Sequence, residues 1–108
     1  MPTFASLRRR GDFARVRSRG RRRAGTYFVA FVDTGRDPRR SRIGLSIAKD
    51  VGGAVIRNRV RRRLKAVLDG TAFGQTPFVD CVLIARPAAG TGTFAEIAAE
   101  ITRLLSLG

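Results

Sequence analysis

The sequence predicts a single mixed α+β domain, because helix-like and strand-like hydrophobic patterns alternate along its 108 residues. Two segments place apolar residues at helical spacing, and three others alternate or are continuously apolar, as buried strands are. The helical stripes are formed by Ile56, Val60, Leu64 and Val67 in one segment and by Phe94, Ile97, Ile101 and Leu104 in the other. The strand-like segments are residues 26–33, 42–48 and 78–85.

The first half of the chain begins with a predicted short helix within residues 6–18, which Gly20 ends. Strands at 26–33 and 42–48 follow, separated by an exposed loop that contains Pro38. Because these two strands are consecutive in the chain, we predict that they pair as a hairpin.

In the second half, two consecutive glycines precede a basic helix, and Gly70 ends that helix. The third strand follows Pro77, and a loop at 87–92 leads to the last helix. Thr93 and Glu96 have the T-x-x-E spacing of a capping box, which predicts the start of this last helix.

The basic helix has the composition of an anion-binding surface. Six cations lie within nine residues, with no acid among them: Arg57, Arg59, Arg61, Arg62, Arg63 and Lys65. Like charges four residues apart repel by about 0.2–0.5 kcal/mol per pair, which weakens the alternative of a merely solvated face. The chain as a whole has 22 Lys plus Arg, 8 Asp plus Glu and a net charge of +14, which favours a polyanionic partner.

Other features limit the function classes. The longest apolar runs are too short to span a bilayer, and no signal-like segment directs export, so we expect a cytoplasmic protein. The single cysteine, Cys81, lies in an apolar stretch and is predicted to be buried.

The residue inventory predicts no catalytic residue and no metal site in the protein. The chain has no His, and its acids are not spaced as metal ligands. We interpret Asp12 and Asp69 as helix-end residues, Asp33 and Asp37 as turn residues, and Asp80 as a lone strand residue. Glu96 and Glu100 are interpreted as helix-surface residues, and the only tyrosine, Tyr27, as a packing residue.

Segment 49–62 resembles the signature of the bacterial ribonuclease P protein component, in which a lysine, a glycine, an Ala-Val pair and an Arg-Asn-Arg triplet recur in this order. The resemblance covers nearly the whole chain, because flanking landmarks also follow in the same order. These landmarks are Leu7-Arg8-Arg9, Asp12-Phe13, Val16, Gly20, Phe28-Val29, Ile43-Gly44-Leu45-Ser46 and Ile84-Ala85-Arg86-Pro87.

The resemblance implies an α-β-β-β-α-β-α sandwich similar to a domain of a small-subunit ribosomal protein, with a left-handed crossover through the basic helix. Residues 1–108 would form one RNA-binding domain. The implied function is that of an accessory subunit of ribonuclease P, which removes the 5′ leader from precursor tRNA. The implied partners are the catalytic RNA and precursor tRNA, and Mg²⁺ is held mainly by the RNA. No membrane or small-molecule substrate is implied.

Carried over to matching positions, the resemblance implies two RNA surfaces. The surface for the catalytic RNA consists of Arg57, Asn58, Arg59, Arg61, Arg62 and Lys65. The cleft for the single-stranded leader lies between the first helix and the sheet and is lined by Phe13, Arg17, Phe31, Arg42 and Lys49. A structural role for Asn58, and a core role for Phe13 and Phe31, are alternatives that the sequence leaves open.

The chain departs from the family pattern at Arg17, where relatives often have a second aromatic residue, and at Asp50 and Gly53. Two other function classes remain as alternatives. A ribosomal-type structural RNA-binding protein would have no role in cleavage. A DNA-binding protein is the third, although no helix-turn-helix or dimer zipper is recognisable.

Overall fold

The computed structural model describes residues 4–69 and 78–105, which form three α-helices and one five-stranded sheet. The strands are β1 (Phe4–Ser6), β2 (Arg21–Ala24), β3 (Phe28–Thr34), β4 (Ser41–Ser46) and β5 (Val79–Ala85). The helices are α1 (Arg10–Arg19), α2 (Ala54–Asp69) and α3 (Phe94–Leu104), and short 3₁₀ turns occupy Lys49–Val51 and Pro87–Gly90. The predicted helix stop at Gly70 and the predicted role of Pro77 lie outside the described residues.

The sheet has the strand order β1-β4-β5-β3-β2. Strands β1, β4 and β5 run parallel, whereas β3 is antiparallel to β5 and β2 is antiparallel to β3. The mixed α+β class is therefore confirmed. The predicted hairpin between residues 26–33 and 42–48 is wrong, because β5 lies between β3 and β4 and pairs with both. Helix α2 connects the parallel neighbours β4 and β5, and the left hand of this crossover stays a prediction.

The two faces of the sheet are covered unequally. Helices α2 and α3 cover one face, over a core that includes Phe28, Leu64, Cys81 and Ile101. The prediction that Cys81 is buried is confirmed, and burial raises the pKa of its thiol. Helix α1 covers the other face over a much smaller core. The face under α1 is thus the more open one.

Two strands were not predicted from the sequence, because their patterns are short and polar. Strand β1 has three residues, and β2 consists of three arginines and an alanine, so neither shows a hydrophobic alternation. Strand β2 is formed because it pairs with β3, from Arg21 opposite Val32 to Ala24 opposite Val29. The interpretation of Asp33 as a turn residue is also wrong, since Asp33 lies within β3.

Glu100 is buried, which corrects its interpretation as a helix-surface residue. Its carboxylate accepts hydrogen bonds from the backbone N–H groups of Thr26, Tyr27 and Phe28 at 2.6–2.8 Å. These bonds join α3 to the start of β3 and satisfy three backbone donors there. The predicted capping box is confirmed, because the Thr93 side chain accepts from the Glu96 N–H and the Glu96 carboxylate accepts from the Thr93 N–H.

Tyr27 is half-buried against the core, as the packing interpretation expects. Its hydroxyl donates a hydrogen bond to the Glu96 carboxylate at 2.9 Å. This bond raises the pKa of Tyr27, whereas bonds from Thr93 and then from Tyr27 lower the pKa of Glu96. Within residues 4–69 and 78–105, no helix is long and apolar enough to cross a membrane.

Candidate nucleic-acid interface

Helix α2 has a buried stripe and a cationic outer surface. Val60, Leu64 and Val67 are buried as the periodicity predicts, and Ile56 packs partly against the same core. A groove of about 460 Å³ lies on the outer side. It is lined by Val55, Asn58, Arg61, Arg62 and Lys65. Among the described residues, no acidic side chain lines this groove. Four of the six predicted RNA-binding residues therefore lie together on one accessible surface.

A second groove extends this surface to the edge of the sheet. It has a volume of about 240 Å³ and lies between α2 and the β1–β4 edge. Arg61 and Lys65 line both grooves, and Arg8 adds a third cation on the β1 side. Ile43, Leu45 and Leu68 supply apolar lining. The cationic surface is therefore continuous from the outer face of α2 to the end of β1.

Arg59 and Arg63 contact a different part of the molecule. Arg59 donates to the carbonyl oxygen of Gly90 at 3.2 Å, and Arg63 donates to that of Gly92 at 2.9 Å. The Nε of Arg59 is buried with no hydrogen-bond partner among the described residues. Both arginines thus hold α2 against the segment that leads to α3, and Arg59 lies apart from the groove surface.

Asn58 and Arg57 have less distinctive surroundings. Asn58 is exposed, and its Oδ1 accepts a hydrogen bond from Arg61 at 3.1 Å. Arg57 is half-buried in the first turns of α2. The Asn58 amide oxygen therefore orients a neighbouring cation of the groove.

Replacing Arg62 and Lys65 together with Ala should weaken binding to a structured RNA without unfolding the protein. Both side chains are exposed and the buried stripe of α2 is unchanged. Each lost phosphate contact lowers the slope of log affinity against log salt by about 0.7–0.9, so the double variant should lose about 1.5. A filter-binding salt titration measures this. The matched control is Arg36→Ala with Arg39→Ala, two exposed loop arginines, and an equal loss in both pairs would contradict a localised surface.

The face of the sheet under α1 forms the candidate leader cleft. Phe13 projects from α1 onto Gly44 of β4, where a Cβ would overlap the Phe13 ring. Phe13, Phe31 and Ile84 pack around Leu7, Val16 and Val82, and both aromatic rings remain half-buried. Arg17, one turn after Phe13, and Lys49, just after β4, are exposed. Phe13 and Phe31 thus pack on the small core under α1 and also remain partly exposed.

An ion-pair network also holds α1 on the sheet. It lies beside a row of neighbouring residues formed by Gly44 of β4, Val82 of β5 and Phe31 of β3. Asp80 of β5 is fully buried and accepts hydrogen bonds from Arg15 of α1 and from Arg42 of β4. Arg42 binds it through two nitrogens, at 2.8 and 3.0 Å. Arg15 also donates to Asp33 at 2.6 Å and lies 3.4 Å from Asp12. Asp80 is a strand residue as predicted, but the prediction that it stands alone is wrong, because two arginines bind it.

The network determines the charge state of its members. Burial raises the pKa of the Asp80 carboxyl, but hydrogen bonds from Arg42 and Arg15 outweigh burial and hold it below its ordinary value. Burial lowers the pKa of Arg15, yet its hydrogen bonds to Asp80, Asp33 and Asp12 raise it overall. The hydrogen bond to Asp80 likewise raises the pKa of Arg42. Asp80, Arg15 and Arg42 are therefore all charged at neutral pH.

Arg42 occupies a different position from the other predicted cleft residues. Its guanidinium is engaged by Asp80 and lies 3.6 Å from Asp12, on the network side of α1. Phe13 and Phe31 meet on the cleft, and Arg17 and Lys49 lie exposed near it. Arg22 was not among the residues predicted from the sequence. It pairs with Phe31 across β2 and β3 and so lies on the same face. Only the strand register identifies it, because an arginine run shows no periodicity.

The carboxylates that converge under α1 do not form a metal site. Asp12, Asp33 and Asp80 direct their oxygens at the two guanidinium groups, and within residues 4–69 and 78–105 no group of three potential ligands could hold a metal ion. Carboxylates engaged in this way supply no free ligand set and no free general base.

Comparison with known proteins places these features in a family. The family model described as Ribonuclease P matches residues 1–107. The ribonuclease P protein component of Acidothermus cellulolyticus is 42% identical over 97% of this chain and 88% of its own length. That of Beutenbergia cavernae is 39% identical, covering 100% of this chain and 92% of its own.

Solved structures share the fold. The RNase P protein of Staphylococcus aureus superposes with a TM-score of 0.81 at 24% identity, covering 94% of this chain and 93% of that one. The RNase P protein of Thermotoga maritima gives 0.79 at 23% identity, covering 93% and 94%. The chain therefore belongs to the ribonuclease P protein family, which implies an RNA partner and involvement in an endoribonuclease.

Proposed function

We propose that this chain is the accessory subunit of a ribonuclease P whose catalytic centre lies in an RNA, and that it assists removal of the 5′ leader from precursor tRNA. The observation that carries the proposal is the continuous cationic surface from α2 to the β1 edge in a chain of this family. Its arginine forks are suited to the phosphates of a folded RNA, whereas the Asn58 amide suits a sugar hydroxyl or base edge.

The cleft beside α1 is the proposed site for the single-stranded leader. Half-buried aromatic rings at Phe13 and Phe31 offer faces on which unpaired bases stack with little sequence preference. Arg17 and Lys49 bring positive charge to the same region. The two RNA surfaces lie on different sides of the molecule, because α2 covers one face of the sheet and α1 the other. One protein can therefore hold the catalytic RNA and the substrate leader together.

The chemistry is proposed to belong to the RNA with bound Mg²⁺. Metal ions of this kind activate water for attack on a phosphodiester and stabilise the charge that develops. The protein contributes fixed positive charge instead, which lowers the concentration of free cations needed to neutralise two RNAs brought together. The proposed location is the cytoplasm, where precursor tRNA and a catalytic RNA would meet.

Reconstitution tests this function. The protein should lower the Mg²⁺ concentration needed for a bacterial ribonuclease P RNA to cleave a precursor tRNA, because it supplies cationic side chains in place of ions. Cleavage is followed across a Mg²⁺ titration with and without protein, and the protein alone should cleave nothing. The matched control is an unrelated basic protein of similar charge. Cleavage by RNA-free protein would refute an RNA catalytic centre, and an unchanged titration would favour a ribosomal-type role.

A further inference from the structure

One row of residues crosses the open face of the sheet and ends on a cation. In register, Gly44 of β4 lies beside Val82 of β5, Val82 beside Phe31 of β3, and Phe31 beside Arg22 of β2. All four residues lie on the face that α1 covers. Adjacent strands are about 4.8 Å apart, so the row extends about 14 Å from Gly44, where the Phe13 ring rests, to Arg22.

Arg22 is a free cation on this face, unlike the two arginines of the network. Arg15 and Arg42 are engaged by Asp80, whereas Arg22 is exposed and has no acidic partner within the described part of the chain. Arg23 of the same strand points to the opposite face, where it donates to the carbonyl oxygen of Leu104. Free positive charge along the sheet therefore lies at Arg22, beside a half-exposed aromatic ring.

Arg17 strengthens this end of the cleft. It follows Phe13 by one helical turn, is exposed, and has no acidic partner among the described residues. Helix α1 ends at Arg19 and β2 begins at Arg21, so the chain passes directly from the end of the helix into the strand that contains Arg22. Arg17 is in the last turn of α1, and Arg22 is the second residue of the strand that follows this helix. A guanidinium there can bind a phosphate and also stack on a base.

We infer that Arg22, with Arg17, forms a phosphate-binding position for single-stranded RNA at the β2 end of the cleft. It extends the stacking surface of Phe13 and Phe31 across the whole sheet. The inference rests on the proposed function, because the bound strand is the leader of precursor tRNA. The contribution of this position to leader affinity is independent of base sequence, because the arginines contact the phosphate backbone. It depends on leader length, since only a longer leader crosses from β4 to β2.

The neighbouring arginine provides a matched control for the test. Arg21 is also exposed and belongs to the same strand, but it pairs with Val32 and lies on the opposite face. Arg22→Ala should lower holoenzyme affinity for a long-leader precursor about two- to fivefold, the range of an exposed ion pair, and reduce the salt slope by about 0.7. Arg21→Ala should change neither quantity. Arg22→Lys should restore most of the salt slope, because the charge remains.

Leader length distinguishes this inference from the proposed function. For a precursor with a single-nucleotide leader, Arg22→Ala should bind like wild type, since no phosphate reaches β2. Equal losses for Arg21→Ala and Arg22→Ala, or a loss independent of leader length, would overturn the inference. If the wild-type holoenzyme itself bound long-leader and leaderless tRNA equally, the leader-binding part of the proposed function would fail. A wild-type preference that Arg22→Ala leaves intact would reject only the Arg22 site.

Discussion

Asp80→Asn should destabilise the protein by about 3–5 kcal/mol, because it removes the fully buried carboxylate that binds the half-buried guanidinium groups of Arg15 and Arg42. The amide oxygen can accept from one arginine only, and its N–H₂ group faces the other. The loss should be near the lower figure, since Arg15 keeps Asp33 and Asp12 as partners. Denaturant unfolding at neutral pH measures the difference. Asp37→Asn, in the exposed loop after β3, is the matched control and should change stability little.

The same variant gives a pH-dependent result whose sign follows from the pKa of Asp80. Its pKa is lowered in the folded state, so its stabilising contribution is present above the unfolded value of about 3.9 and is lost as pH falls through the folded value. The stability difference between wild type and Asp80→Asn should therefore be constant near neutral pH and shrink below about pH 4. A difference that stayed constant down to pH 2 would mean that folding does not lower the pKa of Asp80.

The network explains how α1 is positioned for binding. The apolar core under α1 is small, with Leu7, Val16 and Val82 as its buried members, so ion pairs hold much of the helix in place. Arg15 and Asp12 lie on one side of α1, and Phe13 and Arg17 lie on the other. A helix whose network side is fixed presents its aromatic side to the cleft at a fixed angle. Loss of Asp80 should consequently also weaken leader binding.

Local patterns predicted the helices and failed on strand pairing. The stripe through Val60 and Leu64 and the capping box at Thr93 depend on residues within a few turns, which the sequence displays directly. The insertion of β5 between β3 and β4 depends on which long-range pairing buries more surface, and consecutive strands are only a local guide. The resemblance supplied the order of elements, but the short strand β1 precedes the implied first helix.

The functional residues also divide into those that local sequence patterns predict and those that depend on long-range contacts. The outer surface of α2 depends on helical geometry alone, because the spacing of 3.6 residues per turn places Asn58, Arg62 and Lys65 opposite the apolar stripe. The sequence did not show that Arg59 turns to the Gly90 carbonyl, because that partner is 31 residues away. The Arg15–Asp80 pair is separated by 65 residues, and Arg22 enters the cleft only through its register with Phe31. Sequence spacing carries no information about such contacts.

Phe13→Ala should weaken binding of precursor tRNA to the holoenzyme by about 1–3 kcal/mol, the value of one stacked base, and leave mature tRNA binding nearly unchanged. The ring rests on Gly44 and is only half-buried, so one face is available to a nucleotide. Truncation also removes packing against the cluster of Leu7, Val16 and Val82, and stability should fall by less than the 3–5 kcal/mol typical of a fully buried phenylalanine. The measurement pairs thermal unfolding of the protein with the affinity ratio for precursor over mature tRNA.

The control for this prediction is Phe94→Ala, because Phe94 is a 47% exposed ring at the start of α3 on the opposite face of the sheet. It should leave the affinity ratio unchanged. Gly44→Ala supplies a second approach, since the added Cβ displaces the Phe13 ring without deleting it. If both cleft variants lowered the ratio while remaining folded at the assay temperature, the ring position itself would determine leader affinity. Lost stability with an unchanged ratio would instead assign Phe13 to the core and leave Arg17, Phe31 and Lys49 to bind the leader.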